Sequence, residues 1–260
     1  MANNTALITG ASGGIGEELA RIHAEKGGNL ILVARSADKL QELAGELKKT
    51  QTIEVAVIVE DLTNIDSARR VYDQVRALGL EPDILINNAG FGGHGYFHER
   101  DLTKEQQMIQ LNVLALTSLT HYFARDMVQR GCGKILNISS TASLVPGPLQ
   151  AVYYATKAYV SSFSLALAEE LSEFGVSVTA LCPGPVNTGF VAAGDLEGVA
   201  AWKLATSPRS VAECGYDALQ KGKLIAFNDK KLQFLLEWIT PVLPRKMVLK
   251  MSRKLMEKNT

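Results

Sequence analysis

Thr5-Ala6-Leu7-Ile8-Thr9-Gly10-Ala11-Ser12-Gly13-Gly14-Ile15-Gly16 joins a short apolar run to a glycine-rich turn. The run has the length and content of a buried strand, and a helical pattern follows from Glu17 to Ala24. A glycine-rich turn between strand and helix lets the backbone come close to a phosphate. The helix start then offers free N–H groups and the positive end of the helix dipole. The spacing is Gly-x-x-x-Gly-x-Gly rather than Gly-x-Gly-x-x-Gly. Out of context such a stretch is only a turn. With a strand before it and a helix after it, the stretch predicts a pyrophosphate cradle made by Gly10, Ser12, Gly14, Ile15 and Gly16.

The alternation continues outward from this unit. Further strands are predicted at Asn29–Ala34, Ile53–Val59, Ile84–Asn87, Ile135–Ser139, Val176–Leu181 and Leu224–Phe227. Helices are predicted at Asp38–Lys49, Asp66–Leu78, within Lys104–Arg130, and from about Ala151 to Phe174. Strands alternating with helices imply a parallel sheet covered on both faces, with ligands beyond the carboxyl ends of the strands. No Pro/Ser-rich linker or repeat divides the 260 residues, so residues 1–260 read as one α/β domain.

Composition narrows the function classes. Hydrophobic residues make up 47%, ample for a core, and the formal net charge is zero, which gives no general attraction to nucleic acid. Cys132, Cys182 and Cys214 are scattered, with no metal-ligand spacing. They favour a reducing, cytoplasmic compartment. Met1-Ala2-Asn3-Asn4 leads straight into the first strand, without a secretory signal pattern. No apolar run is long enough for a membrane span.

A second informative stretch lies between Ser139 and Lys157. Tyr153 and Lys157 are four apart and so share one face of a helix. A nearby cation favours the phenolate and moves the phenol toward the working range of an acid or base. Ser140, just before the helix, can donate to a developing oxyanion. Tyr154 lies about 100° away around the helix from Tyr153.

The chain resembles the short-chain dehydrogenase/reductase family. The resemblance rests on Thr-Gly-x-x-x-Gly-x-Gly from Thr9 to Gly16, Asn87-Asn88-Ala89-Gly90, Asn112, Ser140, Tyr153-x-x-x-Lys157 and Pro183-Gly184, in that order. It runs from about Thr5 to about Thr188, and the glycine spacing is that of the compact oxidoreductase branch. It implies a single-domain, Rossmann-like doubly wound sheet of about seven parallel strands. It also implies hydride transfer between a nicotinamide cofactor and a carbonyl or secondary alcohol. Asn112, Ser140, Tyr153 and Lys157 would be catalytic. Asn112 sits in a helical pattern where Asn has poor propensity. Its side chain, or a carbonyl freed by a kink, would hold a relay water; without the resemblance it reads as a polar core residue.

Arg35 follows the second strand, about twenty residues beyond the glycine turn, where NAD-preferring proteins usually carry an acid. An Arg pairs with a 2′-phosphate, so NADP(H) is expected and NAD(H) less so. Against this, Gly13 stands where many NADP-preferring relatives have a basic residue, and Arg35 also reads as a solvated loop residue. Ser36 adds a hydrogen bond. By resemblance, Asp61 and Leu62 receive the adenine, although Asp61 also reads as a helix-flanking turn residue. Asn88, Ala89 and Gly90 lie against a ribose, and Asn87 reads as a buried structural link. Tyr153 and Lys157 reach the nicotinamide ribose, and Pro183, Gly184, Val186 and Thr188 the nicotinamide end, Val186 through its backbone.

Phe91, Ser140, Leu144, Gln150 and Phe190 are expected to face a small hydrophobic carbonyl substrate. Residues 188–210 read as a lid ending at an N-cap pair, Ser207-Pro208. Residues 230–260 read as a helical extension. Arg245–Lys258 forms a basic amphipathic helix with Val248, Met251 and Leu255 on one stripe. That helix packs on the domain, the lid or a neighbouring subunit, or else contacts an anionic membrane surface or acyl chains. Family analogy suggests a homodimer or homotetramer through the helices in 104–130 and 151–174. The expected activity is NADPH-dependent carbonyl reduction. The alternatives are a 3-oxoacyl thioester reductase, a hydroxysteroid-type dehydrogenase, or a silent NADP(H)-sensing binding protein.

Overall fold

The computed structural model describes residues 4–258. The lead-in at Met1–Asn3 and the last two residues of the extension lie outside them. Seven strands are present: β1 (Thr5–Thr9), β2 (Asn29–Ala34), β3 (Val55–Val59), β4 (Ile84–Asn87), β5 (Gly133–Ile138), β6 (Val176–Leu181) and β7 (Ile225–Ala226). All pair in parallel in the order β3-β2-β1-β4-β5-β6-β7. The strands are almost wholly buried because helices cover both faces, which is why they read as continuous apolar runs.

One face packs on α1 (Gly14–Glu25), α2 (Ala37–Thr50) and α8 (Pro208–Gln220), through Leu19, Leu43 and Leu219. The other packs on α3 (Ser67–Ala77), α5 (Leu116–Arg130) and α6 (Ala151–Ser172), through Val71, Phe123 and Ala168. Alternation inside β1 divides the two cores: Ala6 and Ile8 face the first, Leu7 the second. Chain direction across the sheet reverses between β1 and β4, and this switch point opens a crevice at the strands' carboxyl ends.

Several boundaries differ from the sequence reading, most by one or two residues, as at β3 and β5. The first helix begins at Gly14, inside the glycine turn rather than after it. The region within Lys104–Arg130 begins earlier, as α4 (Leu102–Ile109), because Asp101 caps its first turn by accepting from Thr103 N. It then loosens into a π-helical turn over Gln110–Ala115 before α5. Ser207 does cap α8, accepting from Ser210 N with Pro208 in the first turn.

Beyond β6 lie α7 (Phe190–Ala193) and a 3-10 turn at Ala200–Leu204, both within the expected lid. The extension holds α9 (Lys230–Phe234), a π turn at Leu235–Ile239, a 3-10 turn at Thr240–Val242 and α10 (Arg245–Met256). It folds back onto the same chain. Val199 bridges Lys258, Ala200 N donates to Glu257 O (3.3 Å), and Lys258 Nζ meets Asp195 Oδ1 at 2.7 Å. The buried stripe of α10 is Val248, Ser252 and Met256, which displaces the expected stripe by a residue. Met251 and Leu255 instead flank it at the cleft.

Candidate active site

A cleft of about 850 Å³ runs from the glycine turn and the end of β2, across the β1/β4 switch point, to α6, the lid and α10. Gly10 and Gly14 adopt φ of 67° and 60°, which favours glycine at both. A Cβ on Gly10 would stand 2.9 Å from Ala89 Cα, so that residue lets the turn and the end of β4 touch. Gly16 lies beneath the turn, against Gly10 O and Asn88, and does not line the cleft. Its role in the cradle is therefore close packing rather than contact. Ser12, Gly14 and Ile15 are on the wall.

Thr9 and Asn88 lock the switch point. Thr9 Oγ1 accepts from the backbone N–H of Asn88 and Ala89, each at 3.0 Å. Asn88 Nδ2 donates to Thr9 O (2.9 Å) and Gly10 O (3.2 Å). Asn88 lines the cleft, but its amide hydrogens hold the turn. Asn87 is the expected structural link, donating to Thr120 Oγ1 and Asn137 Oδ1, both at 2.9 Å.

At the far end stand Arg35, Ser36, Asp61 and Leu62. Arg35 is exposed, and Ser36 is the N-cap residue of α2 without a capping side-chain bond, so its hydroxyl is not committed to the helix. Sequence reasoning missed Lys39, which lines the same end. Its signal was the four-residue spacing from Arg35. Glu60 is there too, with its carboxylate held by Arg70 at 2.8 Å. Asp61 Oδ1 accepts from Thr63 N and Oγ1, so its turn role is real while the residue also faces the cleft.

The reacting end gathers Ser140, Tyr153 and Lys157. Ser140 caps a 3-10 turn at Thr141–Leu144, accepting from Ala142 N at 3.1 Å and donating to Pro183 O at 3.4 Å, and both Ser140 and Tyr153 line the cleft. Tyr153 and Lys157 are buried on α6. Burial raises the Tyr153 phenol well above its ordinary value, opposed in part by Ser140. Burial lowers the Lys157 ammonium to about 8. The expected depression of the phenol by Lys157 is thus absent here. The ammonium donates to Ile138 O at 2.7 Å and stands 5.8 Å from the Tyr153 ring centre, so desolvation outweighs the charge. Tyr154 also lines the cleft; burial raises its phenol to about 12, opposed in part by Ser252 of α10.

Asn112 sits in the π turn, 1% exposed. Its Nδ2 donates to Phe91 O (3.0 Å) and Thr156 Oγ1 (3.1 Å), and its Oδ1 accepts from Phe91 N (3.2 Å). The side chain is fully used in holding the Phe91 loop on α6.

Pro183, Gly184, Val186 and Thr188 line the cleft after β6. Val186 bridges Thr206, using the N–H of Asn187 and the carbonyl of Pro185. Its own N–H and C=O take no part in that bridge. Phe91, Gln150 and Phe190 face the cleft, and Phe190 packs between Tyr153 (5.4 Å) and Trp202 (6.5 Å). Leu144 does not. The 3-10 turn presents Ala142 and Val145, three apart on one face, and carries Leu144 off it. His94 bonds Met256 O at 2.6 Å and so anchors the extension. Leu232, Leu236 and Leu243 supply an apolar wall that sequence reasoning missed, and Met251 and Leu255 of the expected apolar stripe join it.

The family model described as short chain dehydrogenase matches residues 4–196. Very-long-chain 3-oxoacyl-CoA reductase of Anas platyrhynchos is 37% identical over 189 residues, covering 70% of this chain and 60% of that protein. The chain thus spans about 60% of the length of the first curated relatives it matches. A human protein named inactive hydroxysteroid dehydrogenase-like protein 1 is 32% identical over 241 residues, covering 91% of this chain and 72% of that one. The short-chain dehydrogenase from Sphingobium yanoikuyae, solved with NADPH, superposes with a TM-score of 0.83 at 30% identity, covering 91% and 92% of the two chains.

Proposed function

The chain belongs to the short-chain dehydrogenase/reductase family, and on that premise we propose that it reduces a carbonyl on a hydrophobic substrate with NADPH. The observation that carries this is the buried Tyr153, with Lys157 Nζ 5.8 Å from its ring and Ser140 beside it on the wall of the cleft that also holds Arg35. The cleft fits a dinucleotide: close backbone packing around Gly10 lies at its middle, and cations at one end. Ser12, Gly14 and Ile15 would hold the pyrophosphate, Arg35, Ser36 and Lys39 the 2′-phosphate, and Val186 and Thr188 the nicotinamide end. When bound, NADPH supplies the hydride.

The chain's own residues manage the oxygen and the proton. Burial keeps the Tyr153 phenol protonated, the state a general acid needs. Ser140 donates to the substrate oxygen as charge grows on it. Lys157 orients the ribose and supplies positive charge while protonated. Proton return passes the loosened helix at Asn112 by its carbonyl.

The substrate reading rests on the wall. Leu232, Leu236, Leu243 and Leu255 favour an apolar body, and likeness to 3-oxoacyl-CoA reductases supports a 3-oxoacyl thioester as its form. Pairing of two copies across α5 and α6 is supported by the exposed Leu114 and Leu165 and the stacked Tyr159–Phe163 rings.

The test is NADPH consumption against ketones, aldehydes and 3-oxoacyl thioesters, with Tyr153→Phe in parallel. Loss of turnover by roughly 100-fold or more with NADPH binding kept supports the reading. Full turnover in Tyr153→Phe, or loss only in Tyr154→Phe, overturns it. NADPH binding without turnover on any substrate in the wild type points to a sensor.

A further inference from the structure

The extension has two apolar faces, and the cleft accounts for one. Leu232, Leu236 and Leu243 line the cleft. Phe234, Trp238 and Val242 do not; they are 60%, 69% and 78% exposed. Their spacing of four places them along one side of a helical segment. The outward side of a surface helix is ordinarily polar, so three large apolar residues there call for a covering partner.

Charge indicates which partner. Residues 229–258 carry eight Lys and Arg against three Asp and Glu, in a chain of zero formal net charge. Arg253 and Lys258 hold the extension to the body, through Tyr96 (2.7 Å) and Asp195 (2.7 Å). Lys231, Arg245, Lys246 and Lys250 of the same extension are exposed. A second copy seated face to face on this stripe would set like charges against each other. An anionic lipid surface instead complements both features: acyl chains accept the stripe, and headgroup phosphates accept the cations.

We infer that the extension docks on the surface of an anionic lipid bilayer through Phe234, Trp238 and Val242, together with its exposed Lys231, Arg245, Lys246 and Lys250. Among the described residues no helix is long and apolar enough to cross a membrane. It does not depend on the proposed reaction. The named side chains lie off the cleft wall, so their substitution spares cofactor binding.

The test is sedimentation of the full chain with phosphatidylcholine vesicles, with and without about 30% phosphatidylserine. Binding is expected to the anionic vesicles, weakened by salt. The W238S/V242S and R245E/K246E variants, checked for folding by NADPH binding, should each partition roughly tenfold less. Trp238 is one of only two tryptophans, so the blue shift on binding should persist in W202F and vanish in W238F. Failure of the wild type to pellet, or equal pelleting of W238S/V242S, overturns the inference. So does self-association that needs Trp238 and Val242 while vesicles are ignored, since the face is then a subunit contact.

Discussion

Burial moves Tyr153 and Lys157 in opposite directions, and each shift has a measurable consequence. Lys157 titrates near 8 in the folded chain against 10.5 when free. If its charge supports catalysis, kcat/KM should hold below about pH 8 and fall above it as the ammonium deprotonates; a pH profile checks this. Between those two values the unfolded chain holds the extra proton, so this residue's contribution to stability rises with pH across that window. Below it the buried charge is a full cost. Lys157→Met should therefore stabilise the protein at pH 7, by on the order of 1–3 kcal/mol, and by less at pH 10, while abolishing turnover. Thermal melts at both pH values test the sign. At the other end of the cleft, Arg35→Asp should shift preference toward NADH, and Arg35→Asp with Lys39→Ala further still. An unchanged NADPH/NADH ratio in both would remove these cations from cofactor choice.

The π turn at Gln110–Ala115 shows what one helix defect accomplishes. It seats Asn112 so that its amide binds the backbone of Phe91 on both sides and the hydroxyl of Thr156. Asn112→Ala leaves the Phe91 N–H and C=O without partners, at a cost of about 1–3 kcal/mol. A lowered melting temperature with raised substrate KM is the expected pair of outcomes. This turn also marks a limit of sequence reading. Strands such as Ala6–Ile8 and Ile84–Ile86 announce themselves because a sheet covered on both faces demands unbroken apolar runs. Asn112 announced only that it was a poor helix former, and whether the kink or the side chain mattered depended on Phe91, far away in sequence. Lys39 and Leu144 turned on helix and 3-10 registers that fix a side chain's facing within a residue. The proposed catalytic positions were legible because Tyr153 and Lys157 share one helix; the part of the apolar wall at Leu232, Leu236 and Leu243 was not, because it depends on how the extension folds back after β7.

At the scale of the molecule, the cleft is closed by two segments that are one body. The lid carries Phe190 and Trp202 over Tyr153, and the extension grips the lid through the Val199–Lys258 bridge and the Asp195–Lys258 ion pair. Removing residues 245–260 should loosen both, raising KM for apolar substrates severalfold while sparing NADPH binding at Arg35; steady-state kinetics on the shortened chain checks this. Separately, any lifting of residues 188–210 would act on the extension as well. It would drag α10 along, sweeping Met251 and Leu255 through solvent, or break the bridge and the ion pair together. Motion of that size is resisted by friction with the medium. If it sets the pace of turnover, kcat should decline in proportion as sucrose thickens the buffer, whereas a rate set by hydride transfer would respond to deuterium on the cofactor and be indifferent to viscosity.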